Sequence, residues 1–318
     1  MKVWALAPNE SWICDRFVDE WNSLSGFGTP DPISADVIWL LSDWVWNQVP
    51  LSVLTSGKPI IASIHHLVPD KFGPSQLSDF VARDRYVTAY HVPCKKTETQ
   101  VRDVLNRIGV SKQIFTQPFW VNGDVWRSIA DSGSIRKSLG IESHEIACGS
   151  FQRDTEGADL VSPKLEKGPD LFCDAIIGIR DRNPQMALKV VLAGWRRQYV
   201  IRRLRDASIP FVYEERPSLE RVNELYNALD AYIVAARYEG GPQAIVECAA
   251  IGVPIVSRDV GLAAEILHSS VISDDLVSAF YSMDDAMTTE HAMRNVSRLL
   301  IPDGFEPFKE FFSKLVKQ

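Results

Sequence analysis

From residue 231 to residue 267 the chain reads AYIVAARYEGGPQAIVECAAIGVPIVSRDVGLAAEIL, and few folds accept that order. The apolar run Ala231 to Ala236 predicts a buried strand. Glu239, Gly240, Gly241 and Pro242 then form a turn, with Pro242 suited to the first helical position. An Ala-rich helix bearing Glu247 follows, ends at Gly252-Val253-Pro254, and gives way to a second strand at Ile255–Val256. Strand, turn, helix and strand at this spacing predict a unit of a parallel sheet.

The same turn is built to hold an anion. The first N–H groups of a helix have no intrahelical partner, and its dipole favours negative charge there. Glycines let a phosphate approach the backbone. Glu247 lies about one and a half turns into the helix, and helical side chains lean toward the N-terminus, so its carboxylate is aimed at the same ligand. A phosphate would repel that carboxylate, whereas sugar hydroxyls would donate to it. Together these features describe a nucleotide-sugar pocket. Two glutamates eight positions apart mean little alone in a chain with 41 acidic residues. The ordered context is the specific part, set against the alternative of an ordinary αβ unit with a Gly-capped helix.

That context resembles the donor-site signature of the retaining "group 1" glycosyltransferases, glycosyltransferase family 4. The matching residues are Glu239, Gly240–Gly241, Glu247, Ala249–Ala250, Gly252–Pro254, Ile255–Val256 and Gly261 with Glu265. The resemblance implies the GT-B fold, two Rossmann-like doubly wound parallel-sheet α/β domains facing a cleft. It also implies that Glu247 accepts from ribose hydroxyls and Glu239 from hydroxyls of the transferred sugar. Gly240, Gly241, Pro242 and Gln243 would cradle phosphate and sugar.

The remaining sequence fits two such domains, as 318 residues suggest. Strands are expected at Val3–Ala7, Val37–Leu41, Pro59–His65, Ala89–Val92 and Ile114–Phe119. Helices are expected at Asp15–Ser23, Trp46–Leu54, Ser75–Arg83 and Glu98–Ile108. A polar break, GDVWRSIADSGSIRKSLGIESHE, separates this series from a second one beginning at Ile146–Phe151. The expected division is an acceptor-side domain over 1–124, a donor-side domain over 125–304 and an amphipathic helix over 305–318. The resemblance implies that this last helix packs back on the first domain.

Further site residues follow from the resemblance. Its basic pair, an Arg after a glycine and a Lys before one, holds the donor diphosphate. Lys167 before Gly168 matches the Lys, but Ser150 stands at the Arg position. Arg153, displaced in a longer loop, is the expected substitute, with scattered solvated charges as the alternative for both. A departing nucleoside diphosphate gains negative charge, so fixed cations and amides there have a physical purpose. His65, at the end of an apolar strand, would face the transferred sugar, the alternative being a structural histidine. Adjacent His65 and His66 on one strand point to opposite faces and make a poor metal pair. The first loop, APNESWICDRF, lacks the family's glycines; Ser11, Asp15 and Arg16 are its candidate contacts. Trp39, Trp44 and Trp46 could line an acceptor groove or pack in a core.

Composition narrows the partners. A net charge of −7 argues against a nucleic-acid binder. Five cysteines without metal spacing, and a short, soon-interrupted apolar N-terminus, point to a reduced cytoplasmic protein. The basic stretch WRRQYVIRRLR reads as a solvated helix face, with peripheral membrane contact the minority reading. No Asp-x-Asp motif occurs, so no metal and no cofactor is expected. The resulting expectation is a retaining, metal-independent glycosyltransferase moving a sugar from a nucleotide-diphosphate sugar to a carbohydrate or lipid-linked acceptor. The alternatives are a nucleotide-sugar epimerase of the same fold and a non-catalytic nucleotide-sugar-binding protein.

Overall fold

A computed structural model describes residues 1–10, 13–157 and 159–317. The chain forms two compact units: Met1–Trp120 with Ile301–Gln318, and Val121–Leu300.

The first unit is built on five parallel strands, β1 (Val3–Leu6), β2 (Val37–Leu40), β3 (Ile60–Ser63), β4 (Ala89–Val92) and β5 (Gln113–Thr116), in that spatial order. Gly28 forms a one-residue parallel bridge on the other flank of β1. There Val3 donates to the Phe27 carbonyl (2.8 Å) and Thr29 donates to the Val3 carbonyl (3.1 Å). The chain therefore leaves β1 in both directions, which is what makes the sheet doubly wound.

Alternation along the strands splits the apolar side chains between two faces. Ile38, Leu40, Ile60, Ala62, Tyr90 and Val92 pack with Phe80 of helix Pro74–Asp84 and with Val101 and Leu105 of helix Lys95–Arg107. Val3, Ala5, Val37, Trp39, Ile61 and Ala89 face the other way. They meet Cys14, Phe17 and Trp21, spaced i, i+3, i+7 on helix Ile13–Leu24. The C-terminal helix Glu306–Val316 closes this face with Phe308, Phe311, Phe312 and Leu315. The result is largely an aromatic core: Trp39 lies 5.3 Å from Phe308 and 5.1 Å from Phe312, and Trp21 lies 5.5 Å from Trp39. Trp39 is thus fully buried, so of its two sequence readings core packing holds and the acceptor groove does not. Trp46 is half-buried and donates to Asp79 at 3.0 Å, while Trp44 is exposed. The helix expected over 46–54 is instead a 3-10 turn, Asp43–Gln48, and a short helix, Leu51–Leu54, because Pro50 interrupts the hydrogen-bond ladder.

The second unit has β6 (Ile146–Ser150), β7 (Leu188–Ala193), β8 (Phe211–Glu214), β9 (Ala231–Val234) and β10 (Ile255–Ser257), all parallel, in the order β10-β9-β6-β7-β8. The first strand of the unit sits in the middle. The chain runs outward from it to β8, then returns to lay β9 on its other flank, with Cys148 beside Ala231 and Gly149 beside Tyr232. The switch point therefore lies between the ends of β6 and β9, where open α/β sheets take their ligands. One face is packed with small and aliphatic side chains such as Cys148, Ile176, Val190, Leu192, Ile233 and Val256.

Candidate functional site

The loop leaving β6 folds into a narrow excursion. Thr155 and Pro163 form an antiparallel bridge, Glu156 donates to the Ser162 carbonyl (2.9 Å) and Lys164 to the Asp154 carbonyl (2.8 Å). The chain then makes a 3-10 turn, Leu165–Lys167, and enters helix Pro169–Arg182 through Gly168. Gly168 has φ +63°, and a Cβ there would run into the Ala235 carbonyl just past β9. Only glycine lets the Lys167 turn lie this close to β9.

The segment after β9 is tied to that turn. The amides of Arg237 and Tyr238 both donate to the Glu166 carbonyl (2.8 and 3.1 Å). The Arg237 guanidinium forks onto Asp170 (2.8 and 2.7 Å) and also reaches the Leu165 carbonyl (2.9 Å). Lys167 Nζ then pairs with Glu239 Oε1, and Gln152 Nε2 donates to the Lys167 carbonyl at 2.5 Å. Gly261, at φ +53°, backs the turn: a Cβ there would strike the Gly240 carbonyl. Lys167, Glu239 and the Gly240–Gly241 turn thus meet at the β6/β9 switch point, with both charged side chains part-exposed.

Helix Gln243–Ile251 starts one residue later than the sequence suggests. Pro242 (φ −56°, ψ 103°) is its N-cap and not its first helical residue, because its ψ is not helical. Glu247 is buried and accepts from the Tyr226 hydroxyl at 3.0 Å. Burial and the Glu247 charge push the Tyr226 hydroxyl well above its ordinary value, so it stays protonated and donates. Tyr226 packs on Phe151 at 4.7 Å, just beyond β6. Glu247 is therefore reached from helix Leu219–Asn227 by a tyrosine that the sequence pattern did not single out.

Arg153 is turned toward another cluster. Its Nε donates to the Thr155 carbonyl (2.7 Å), and its guanidinium lies 5.6 Å from the Trp195 ring. Arg196 and Arg216 lie over the same ring at 4.0 and 4.5 Å. Burial, and then repulsion from Arg196, hold the Arg153 guanidinium below its ordinary value. Both Arg196 and Arg216 have left-handed backbones (φ +58° and +49°). Among the described residues no carboxylate pairs with any of the three within 4.0 Å. Lys164 lies close enough to feel both Lys167 and Arg153, so the two basic groups adjoin.

The basic stretch 195–205 is not a uniformly solvated face. Arg197 is buried, paired with buried Asp154 at 3.2 Å, and donates to the carbonyls of Ser150 and Ala193 (2.9 Å to the latter). Its Nη2 also reaches Ser150 Oγ at 3.3 Å. A cation therefore does stand against Ser150, supplied from the β7 side. Arg197, Val200 and Leu204 share one helical stripe at i, i+3, i+7, the signal that could have revealed it. Burial pushes the Asp154 carboxyl up, opposed by Arg197 and by the amides of Val200 and Tyr199.

In the first unit, β3 ends at Ser63, so His65 and His66 lie in the following loop and strand alternation does not orient them. His65 Nε2 lies 2.7 Å from the Leu41 carbonyl and 3.4 Å from Cys14 Sγ, and its ring stacks on Phe119 (5.5 Å, 16°). Asp15 accepts from the amides of Asn9 and Glu10 (2.8 and 2.9 Å), and Arg16 lies 3.9 Å from Glu20. Ser11 falls outside the described residues. Among the described residues no group of three or more His, Cys, Asp or Glu side chains is placed to hold a metal, and no helix is long and apolar enough to cross a membrane.

Residues 160–289, which span both the Lys167 and the Glu239 turns, match the family described as glycosyl transferases group 1. Over 193 residues the chain is 26% identical to a lipopolysaccharide core biosynthesis mannosyltransferase, LpsB, of Rhizobium meliloti (strain 1021). That match covers 56% of this chain and 47% of the relative, so the chain spans about half the length of the curated relative it matches. The crystal structure of Anabaena Alr3699/HepE in complex with UDP and glucose superposes with a TM-score of 0.76 at 12% identity, covering 98% of this chain and 99% of that one. Sucrose-phosphate synthase (tll1590) from Thermosynechococcus elongatus superposes at 0.66 with 16% identity, over 89% and 73% of the two chains. The chain has the GT-B fold, two parallel-sheet α/β units, and the segment that matches the group 1 glycosyltransferases carries Lys167, Glu239 and the Gly240–Gly241 turn.

Proposed function

We propose that this protein is a glycosyltransferase whose second unit binds a nucleotide-diphosphate sugar at the β6/β9 switch point. The observation that carries the proposal is the meeting of Lys167, Glu239 and the Gly240–Gly241 turn inside the segment matched to the group 1 family. Sugar nucleotides bound to the structural relatives, UDP-glucose in Alr3699/HepE, support the donor class. Two adjoining sets of basic groups supply the electrostatics. Lys167 pairs with Glu239 beside the glycine turn; Arg153, Arg196 and Arg216 form a patch without paired carboxylates that attracts an anionic ligand.

In this reading the diphosphate lies against Lys167 and the backbone of Gly240, Gly241, Pro242 and Gln243. Its arrival loosens the Lys167–Glu239 pair and frees Glu239 to accept from the hydroxyls of the transferred sugar. Glu247 accepts from the ribose, with Tyr226 holding its second oxygen. Arg153 adds charge stabilisation as the bond from the anomeric carbon to the phosphate oxygen breaks. The acceptor, a carbohydrate or lipid-linked hydroxyl, attacks that carbon from the same face. Its proton passes to the leaving phosphate, so configuration is retained without a covalent enzyme intermediate. Basic side chains and amides do here what a divalent ion does elsewhere, and the reaction belongs in the cytoplasm, where sugar nucleotides are held. His65 is the first unit's candidate for a hydrogen bond to a sugar hydroxyl.

A thermal-shift series with UDP, GDP, ADP and their hexose conjugates, followed by product analysis, tests the proposal. One nucleotide series should raise the melting temperature by mass action, and its sugar conjugate should yield an α-linked product from an α-linked donor. No stabilisation by any nucleoside diphosphate would remove the donor assignment. An inverted product would remove retention, and loss of turnover on chelation, restored by a divalent ion, would remove metal independence.

A further inference from the structure

His65 enters a setting of unlike groups drawn from three segments of the first unit. Helix Ile13–Leu24 brings Cys14, with Sγ 3.4 Å from the imidazole Nε2. The residues after β2 bring the Leu41 carbonyl, 2.7 Å from the same nitrogen, and Ser42, whose hydroxyl donates to Sγ at 3.3 Å. Phe119 lies parallel to the ring and blocks rotation out of plane. Both polar contacts fall on one ring nitrogen. Among the described residues Nδ1 has no hydrogen-bond partner, and it is not sealed from solvent.

We infer that Cys14 is a positioning residue for His65: with the Leu41 carbonyl it fixes the Nε2 edge of the imidazole, so the ring meets its ligand through Nδ1 as a hydrogen-bond donor. A carbonyl can only accept, so Nε2 must carry a proton. A sulfur that receives a hydroxyl proton from Ser42 and faces that N–H sits in the surroundings of a thiolate. A thiolate beside the ring retains the second proton, on Nδ1.

The charges nearby are consistent with this pairing. Burial alone would lower the His65 pKa, but Cys14, the Leu41 carbonyl and Asp43 outweigh it and push it up to about 9. Burial likewise opposes the Cys14 thiolate, and His65 and Ser42 overcome it, with Asp15 a small opposing charge. Asp43, on the 3-10 turn Asp43–Gln48, is itself paired with Arg83 at 2.9 Å. His91, on β4, stays neutral, its pKa pushed by burial down to about 3, and contributes no competing charge. Each group thus favours the charged form of the other, His65 shifted up and Cys14 shifted down. A neutral imidazole in the same pose would present Nδ1 as an acceptor, the opposite polarity toward a sugar hydroxyl.

The identity of the ligand rests on the transferase reading, but the state of the ring does not, and the two are tested separately. Carbon-13 and proton shifts of the His65 ring in the full chain, followed from pH 5 to pH 10 without substrate, read its protonation directly. The expected result is a doubly protonated ring at pH 7.5 that titrates at about 9. Cys14→Ala should lower the midpoint to about 6.5 or below, the value of a histidine without its anion. Cys14→Ser, which keeps a polar side chain but no thiolate, should lower it equally. A neutral ring at pH 7.5 in the unaltered protein overturns the inference even if neither variant folds. An unchanged midpoint in both variants also overturns it. With an active donor and acceptor, turnover in the unaltered protein should fall as pH rises through about 9, and in Cys14→Ser through about 6.5. If the ring behaves as expected and no transfer is found with any donor, the transferase reading fails and the positioning role of Cys14 stands.

Discussion

The two units solve the same architectural problem with different materials. The first fills one face of its sheet with rings: Trp21, Trp39, Trp120, Phe119, Phe305, Phe308 and Phe312 interlock at centroid distances of 4.6 to 6.3 Å. Three of these come from the chain's last twenty residues. The second unit packs aliphatic and small side chains and concentrates charge at its strand ends. Arg197–Asp154, Arg237–Asp170, Lys167–Glu239 and Arg221–Glu214 all stand beyond β6, β7, β8 or β9. An aromatic core contributes rigidity and excludes water but cannot bind a phosphate. A layer of ion pairs costs desolvation yet holds loops in register and presents cations to a ligand. The contrast accords with placing the proposed donor site in the second unit, where Lys167 and Glu239 meet beside the glycine turn.

The largest effects should separate the two materials. Phe308→Ala opens a cavity in the ring cluster and should cost about 3–5 kcal/mol, read by denaturant unfolding, while nucleotide binding at low temperature is preserved. Arg197→Ala should cost a similar ~3–5 kcal/mol, because it strands the buried Asp154 carboxylate. Arg197→Met with Asp154→Leu should recover most of that loss. A single Arg197→Ala variant as stable as the parent would mean that Asp154 is not charged in the fold.

Lys167→Ala comes next. Its pair with Glu239 is part-exposed and worth only ~0–1 kcal/mol of stability, but turnover should fall roughly 100- to 1,000-fold. Full activity in that variant would remove the leaving-group role. Gly168→Ala should mimic it from the backbone side, since the added Cβ collides with the Ala235 carbonyl and drives the Lys167 turn away.

Acid should discriminate between the units more gently. His91 is buried and neutral: its Nε2–H donates to the Gln117 carbonyl (2.8 Å) and its Nδ1 accepts from the Ser63 hydroxyl (2.8 Å). Its folded pKa, lowered to about 3 from an ordinary 6.5, means that the unfolded chain binds the extra proton first. That stability is complete above about pH 6.5 and is lost as pH falls toward 3, by at most about 1.4 kcal/mol per pH unit. Unfolding followed by tryptophan fluorescence should show the loss, and His91→Gln should flatten it; an unchanged slope in that variant would place the titration elsewhere. The smallest effect belongs to Trp44→Ala, which should leave stability within about 0.5 kcal/mol because its ring is exposed. A selective loss of acceptor affinity in that variant would give Trp44 the sugar-facing role that buried Trp39 does not have.

The strand series and the Gly-Gly-Pro turn were legible because each is local. Apolar runs of fixed length mark buried strands, and glycine and proline mark where the backbone must turn. Glu239 stands out from that local context, and Lys167 from the family resemblance, each separately. Their ion pair was not legible: they are 72 positions apart, and only the return of β9 to the flank of β6 joins them. Arg197 escapes the sequence pattern for a related reason. Basic neighbours on both sides hid its place on the Val200–Leu204 stripe. Cys14 offered no motif, since its partner lies 51 residues away across two strands.

The sequence alone determined the alternation of strands and helices, the glycine positions where the chain bends, and the residue types at the Gly-Gly-Pro turn, because these depend on near neighbours along the chain. Tertiary structure decided which charges meet, which tryptophan is core, and which nitrogen of His65 is occupied. Those outcomes depend on strand order, which brings distant side chains within 3 or 4 Å, where burial and Coulomb forces set their chemistry.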